Sequence, residues 1–235
     1  MITAIDATAL EAAIVRNGAP TLTGIMPANL FTFPGRFARA DAPGAQTTEE
    51  EARKNRAALL AAAAACAEHL APAGIRLRVL VWRGCGALIY LYRPARLAPA
   101  LEAGLARAAL VAIGYPVDDL EATVDLLADR IAAEGSCATA AHRSDAPLTC
   151  PARADREART GFPHEVGYLL GYPTEDVDGF IRHRGRGYLL AGPWKVYRNR
   201  ARALAAFERI HRSHARCRQR YRRGEGLPEL AVACA

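Results

Sequence analysis

The sequence predicts an α+β fold: one domain over residues 1–223, with roughly five to seven helices packed on a small, mainly antiparallel sheet. Three observations predict it. Ile75, Leu77, Val79 and Val81 alternate with Arg76, Arg78 and Leu80, the two-residue period of a strand. The turn Arg83–Gly86 leads from there into Ala87–Tyr92, which makes a β-hairpin with one largely buried strand. The rest of the chain carries apolar residues at helical spacing, punctuated by helix start and stop signals.

In chain order, Thr8-Ala-Leu-Glu11 has capping-box spacing and opens a short helix that stops at Asn17-Gly18. Residues 19–33 read as irregular, and 34–46, rich in Pro, Gly and Ala, as a surface loop. Thr48 to Glu51 repeats the capping pattern and starts an Ala-rich helix to about Leu70, with Gly74 beyond its end. After the hairpin, Pro94 ends the strand. Leu97, Leu101 and Leu105 share one face of the next helix, and Leu120, Val124, Leu127 and Ile131 form the stripe of another. Residues 135–160 show no periodicity and read as a long loop. Pro163 opens a short helix over His164–Leu170, and Val177, Phe180 and Ile181 mark the next. Tyr188–Leu190 and Trp194–Tyr197 pair as a small hairpin, and a basic helix follows over Arg200–Arg223 with Asn199 as N-cap. Residues 224–235 read as a flexible tail.

Composition narrows the function classes. The chain has 235 residues, 51% apolar and 23% charged, which excludes global disorder. It contains 51 alanines, and 29 of its 31 basic residues are arginine, a bias expected of GC-rich coding. The opening MITAIDATALEAA lacks the basic and apolar regions of a signal peptide, and no apolar stretch is long enough to span a bilayer. Six scattered cysteines without a CxxC read as reduced thiols. A bacterial cytoplasmic protein that engages no membrane is expected. The net charge of +7 hides an asymmetry: residues 181–223 carry +13 and the remainder −6. A helix this basic suits nucleic acid or another anion, or is a solvated face exaggerated by coding bias.

Ala112-Ile-Gly-Tyr-Pro-Val-Asp-Asp-Leu120 is echoed by Leu169-Leu-Gly-Tyr-Pro-Thr-Glu-Asp-Val177. Each copy reads as a helix end, a left-handed Gly, then Pro and carboxylates opening the next helix. It is either a reused corner or a duplication framing a cleft.

The densest cluster of chemistry-bearing residues is Phe162-Pro-His-Glu-Val-Gly167. At the start of a helix the His164 imidazole stays neutral, fit to act as a base or ligand. Glu165 orients it, or both are satisfied locally. This is not HExxH, since Tyr168 stands where the second His belongs. Lys195 in Gly-Pro-Trp-Lys-Val-Tyr197 is one of two lysines in an arginine-rich chain. As a compact charge beside Trp194 and Tyr197 it suits an anionic group, or it is a strand lysine snorkelling past an aromatic. His211, His214 and Cys217 are spaced by three, but Phe207, Ile210, His214, Cys217 and Tyr221 also form an apolar stripe. No metal site is assigned. Cys137 and Cys150 share the long loop. Walker, GxGxxG, GxSxG and zinc-finger spacings do not occur, and no cofactor is legible.

The strings FPHEVGYLLGYPTEDVDGFIRHRG and GPWKVY resemble the C-terminal signature of domain of unknown function 3793, and APTLTGIMPANLF and YLYRPARL also resemble family segments. The resemblance spans most of residues 17–217. It departs at Gly18, where the family carries Cys, and at Met26, where it carries Lys. It implies no particular reaction.

Together these observations predict a small-molecule site for an anionic ligand, catalytic in its fullest form. His164, Glu165 and Lys195 are the candidate catalytic residues. Tyr172, Asp176, Trp194 and Tyr197 are the candidate ligand-binding residues. The alternatives are a nucleic-acid or anion-binding module working through the basic helix, and a non-enzymatic protein docking a partner through Phe207, Ile210 and Tyr221.

Overall fold

Helix α1 (Ala7–Leu22) begins with Asp6, whose Oδ1 accepts from the Ala9 N–H at 2.8 Å. The cap is therefore Asp6, two residues before the expected Thr8. The helix also runs through Asn17-Gly18 instead of stopping there. Gly18 is a point of contact: a Cβ there would stand 2.6 Å from Leu91 Cδ2. Pro20, in the last turn, has no N–H to offer the Arg16 carbonyl, and His214 meets that carbonyl instead.

The structure is a computed structural model that describes residues 4–38, 47–102, 104–135 and 162–232. The expected loop at 135–160 lies almost wholly outside the described residues, as do Cys137, Cys150, Cys234 and most of the 34–46 loop. The chain divides into two compact units, Met1–Arg96 with Ile210–Ala235, and Leu97–Arg209.

In the first unit, the stretch expected to be irregular contains a strand, β1 (Ala28–Pro34). Phe31 and Phe33 point inward from it, and Pro34 is tolerated because β1 is an edge strand. Helix α2 (Glu49–Leu70) starts as expected, with Thr48 Oγ1 accepting from the Glu51 N–H at 3.1 Å. A short 3₁₀ turn follows and ends on Gly74 at φ 69°. Strands β2 (Arg76–Arg83) and β3 (Gly86–Tyr92) form the hairpin, with a bulge between Val79 and Val81. The sheet order is β1-β3-β2, all antiparallel, and every residue of the central β3 is buried. Ile89 and Leu91 of β3 share a core with Leu10 and Ile14 of α1 and Leu59 and Leu70 of α2.

The second unit opens with α3 (Pro94–Glu102), which straddles the division, and α4 (Gly104–Ala112). The sequence suggested one helix with Leu97, Leu101 and Leu105 on one face. Gly104, at φ 56°, breaks it, and Leu105 is 68% exposed. Helix α5 (Leu120–Gly135) buries Val124, Leu127 and Ile131 as its stripe predicts. Helices α6 (Val166–Leu169) and α7 (Thr174–His183) follow. Strands β4 (Leu190–Ala191) and β5 (Lys195–Val196) pair antiparallel as the expected small hairpin.

Helix α8 (Arg200–Tyr221) is capped by Asn199, whose Oδ1 accepts from the Arg202 N–H at 3.0 Å. Its stripe is buried at Phe207 and Ile210, each 6% exposed, and at Cys217, which belongs to the core of the first unit, while His214 and Tyr221 are half-buried. Phe207 and Ile210 are thus occupied by this chain's own packing, which corrects the expectation that they dock a partner. The segment from Gly224 is not frayed through Val232. Helix α9 (Leu227–Leu230) buries both leucines completely, worth roughly 1.5–3 kcal/mol each. Arg93, also fully buried, donates to the carbonyls of Thr21, Leu22, Ala73 and Val232 at 2.7–2.9 Å. One guanidinium therefore ties the end of α1, the 3₁₀ turn and the C-terminal segment together.

Candidate functional site

The seven residues singled out from the sequence all lie in the second unit, and most of them are joined by direct contacts. The second Gly-Tyr-Pro corner builds the scaffold. Gly171 is left-handed at φ 74°, and the Tyr172 N–H closes the preceding turn on the Gly167 carbonyl at 3.0 Å. Gly167 is also a packing point, since a Cβ there would lie 2.8 Å from Val177 Cγ2. Pro173 then caps α7, which places Asp176 in its first turn.

The Asp176 carboxylate is 4% exposed and turns inward. Its Oδ2 accepts from Trp194 Nε1 at 2.9 Å, and its Oδ1 accepts from the N–H groups of Tyr197 (2.8 Å) and Arg198 (3.3 Å). This carboxylate fixes the β5 hairpin against α7. Trp194 stacks on Tyr172 with ring centroids 5.0 Å apart and meets Phe207 edge-on at 4.6 Å. Tyr197 lies flat against His183 at 5.7 Å and an interplanar angle of 12°.

Lys195 points into the protein and is 5% exposed. Its Nζ donates to the Gly185 carbonyl at 2.8 Å and lies over the rings of Tyr188 (4.7 Å) and Phe180 (5.7 Å). The same Phe180 ring meets the half-buried His164 edge-on at 4.9 Å. Burial holds the His164 pKa below its ordinary value of 6.5, opposed in part by the charge of Glu165. The imidazole is therefore neutral at neutral pH.

Glu165 does not turn its carboxylate to His164. Its Oε1 pairs with Arg130 at 2.8 Å and accepts from the Tyr115 hydroxyl at 3.3 Å. Arg130 also lies over the Tyr115 ring at 4.7 Å and donates to the Ile113 carbonyl. Glu165 thus joins the two corners, because Ile113 and Tyr115 belong to the first copy. Burial, then the Glu165 charge, pushes the Tyr115 hydroxyl well up, so it stays a donor.

The structure adds residues that the sequence reasoning missed: Phe180 as the shared ring, Gly185 and Tyr188 around Lys195, and Arg130 and Tyr115 on Glu165. Phe180 stood inside the quoted signature. Arg130 carried no local signal, because its partner is 35 residues away.

Other candidates resolve differently. His211, His214 and Cys217 do not form a metal site, and among the described residues no group of three or more His, Cys, Asp or Glu side chains is placed to hold an ion. Burial lowers His214 and raises Cys217, and Cys66 is pushed up to about 11 by burial and by Glu11, so the buried thiols stay protonated. An open groove of about 360 Å³ runs between α4 and α7, lined by Leu105, Ala108, Ala109, Asp178, Ile181 and Arg182. None of the seven site residues lines it. No helix among the described residues is long and apolar enough to cross a membrane.

A family model described as "Protein of unknown function (DUF3793)" matches residues 14–231. No curated protein and no solved structure matches the chain.

Proposed function

The chain belongs to the DUF3793 family, and from that premise we propose that its second unit binds a small anionic molecule where His164 and Lys195 meet the Phe180 ring. The observation that carries the reading is the shared ring: a neutral imidazole and a buried ammonium stand 4.9 and 5.7 Å from one aromatic centroid. In a site of low dielectric, the ammonium favours a carboxylate or phosphate far more than it would in water. The neutral imidazole then accepts a proton or a hydrogen bond from the ligand. Glu165, fixed by Arg130 and Tyr115, positions the turn that carries His164. Asp176 positions Trp194 and Tyr197, and Tyr172 backs Trp194. The reading names no cofactor and places the protein in the bacterial cytoplasm, in keeping with the free thiols of Cys66, Cys85 and Cys217.

The test starts from natively purified protein. Mass spectrometry should find a bound acidic small molecule, and its affinity should fall about tenfold or more in Lys195→Met and His164→Gln variants that keep the parental circular dichroism. Absence of any acidic ligand, or undiminished binding in both variants, overturns the reading. Unchanged binding in Lys195→Arg removes the specific role of the lysine, since Arg keeps the charge but not its compactness.

A second reading, nucleic-acid binding by α8, is favoured by the exposure of Arg216 and Arg218. Its signature is affinity that falls steeply with salt.

A further inference from the structure

The run from Gly179 to Phe207 contains seven basic residues and no acidic one. Arg182, Arg184, Arg186, Arg198, Arg200 and Arg202 are all exposed, while the remaining basic residue, Lys195, is buried. The fold brings the two halves of this run together. His183, at the end of α7, stacks on Tyr197, at the end of β5, and the Asp176 carboxylate fixes the backbone of Tyr197 and Arg198 against the same helix. The segment that carries Arg182, Arg184 and Arg186 is thereby held beside the segment that carries Arg198, Arg200 and Arg202. Glu175 stands 3.9 Å from Arg202, and Asp178 lines a groove together with Arg182.

The loop that carries Arg184 and Arg186 is held in place. Arg184 is the single non-glycine residue with positive φ among the described residues, at 49°, and Gly185 and Gly187 follow at 71° and 69°. Lys195 donates to the Gly185 carbonyl from inside, so the buried lysine anchors the loop that displays arginines outward. Aromatic groups interleave with the charges: Tyr188 is 37% exposed, and His183, stacked on Tyr197, is an exposed residue.

We propose that this surface binds single-stranded nucleic acid. Planar guanidinium groups suit phosphates, and exposed aromatic rings interleaved with basic residues suit unstacked bases, the combination that recognises single strands without a sequence code. The arginines of this surface are separate from His164 and from the far half of α8, whereas Tyr188 is shared with Lys195; the variant that tells the readings apart is therefore the arginine one, which removes no contact of Lys195.

The experiment is fluorescence anisotropy with a labelled single-stranded RNA of about 12 nucleotides and full-length protein, over a salt series from about 50 to 200 mM. The Arg184→Gly, Arg186→Ala double variant is the main probe. Glycine suits the left-handed position, so the fold should be kept, as circular dichroism and thermal melting would show. Affinity at the lowest salt should fall about tenfold, and the slope of log K against log salt should shrink by about 1.4, the share of two single-strand phosphate contacts. Tyr188→Ala should weaken binding with the salt slope unchanged, because stacking releases no counterions. No RNA or single-stranded DNA binding at the lowest salt overturns the proposal. So does loss of binding in an Arg216→Ala, Arg218→Ala variant with none in the loop variant, which would place the contact on α8. Binding to anionic phospholipid vesicles but not to oligonucleotide also overturns it, and assigns the surface to a membrane.

Discussion

In the corner at Gly114 the second carboxylate, Asp119, caps a helix in the open, while in the corner at Gly171 its counterpart, Asp176, is buried and holds a tryptophan. Both corners close the preceding helix alike: the N–H groups of Tyr115 and Tyr172 bond back to Leu110 and Gly167, each at 3.0 Å, after a left-handed glycine. They diverge at the proline. After Pro116 the chain makes a further turn, and α5 begins only at Leu120, so Asp119 becomes the N-cap and accepts from Glu121 and Ala122 at 3.0 Å. Pro173 is itself the cap of α7, so Asp176 falls inside the first turn and reaches Trp194, Tyr197 and Arg198. A three-residue difference in where the helix starts turns one acid into a local cap and the other into a tertiary clamp.

The largest effect should therefore come from Asp176→Ala. It leaves three donors without an acceptor, two of them on the backbone, and should cost about 3 kcal/mol or more in urea denaturation. The matching Asp119→Ala removes only a cap and should cost about 1 kcal/mol. Equal losses in the two variants would break the comparison. Gly114→Ala and Gly171→Ala probe what the corners share: both glycines have positive φ, 88° and 74°, and each substitution should cost about 1 kcal/mol or slightly more. Tyr115→Phe should have the smallest effect on stability, about 0.5 kcal/mol, because Glu165 keeps its pair with Arg130.

The dependence on pH gives a fifth test. Burial depresses His164 in the folded state, so below 6.5 the unfolded chain binds the extra proton first. Stability should fall as pH drops from 6.5 toward the lower folded value. His164→Gln should flatten that fall and leave the part due to His214, which burial also depresses. An identical profile in the variant would show that His164 does not titrate in this window.

Much of the fold was legible because its signals are local. The strand through Leu77 and Val79, the Thr48 cap, Gly74 and the Asn199 cap each act within a few residues and are found where they were expected, although the bulge after Val79 turns Val81 away from the core face. The errors fall where a local signal met a distant partner. Gly18 reads as a helix stop, but its missing Cβ admits Leu91, 73 positions along the chain. The tail beyond Gly224 reads as frayed, but Leu227 and Leu230 reach the core and the Val232 carbonyl is held by Arg93. The candidate residues were legible as unusual types in a biased composition. Their relations were not: Glu165 stands beside His164 in sequence yet bonds to Arg130 and Tyr115.

The sequence by itself determined the β2–β3 hairpin, α2, α5, α7 and α8, the Thr48 and Asn199 caps, the family and the charge asymmetry, because period, capping and composition are properties of neighbouring residues. Tertiary structure alone decided which way each polar side chain turned. Lys195 faces Gly185 and two aromatic rings, Asp176 faces Trp194, and the arginines around them face solvent. The reason is physical: a buried polar group must find its partner wherever the packed chain offers one, and that place is set by the fold as a whole.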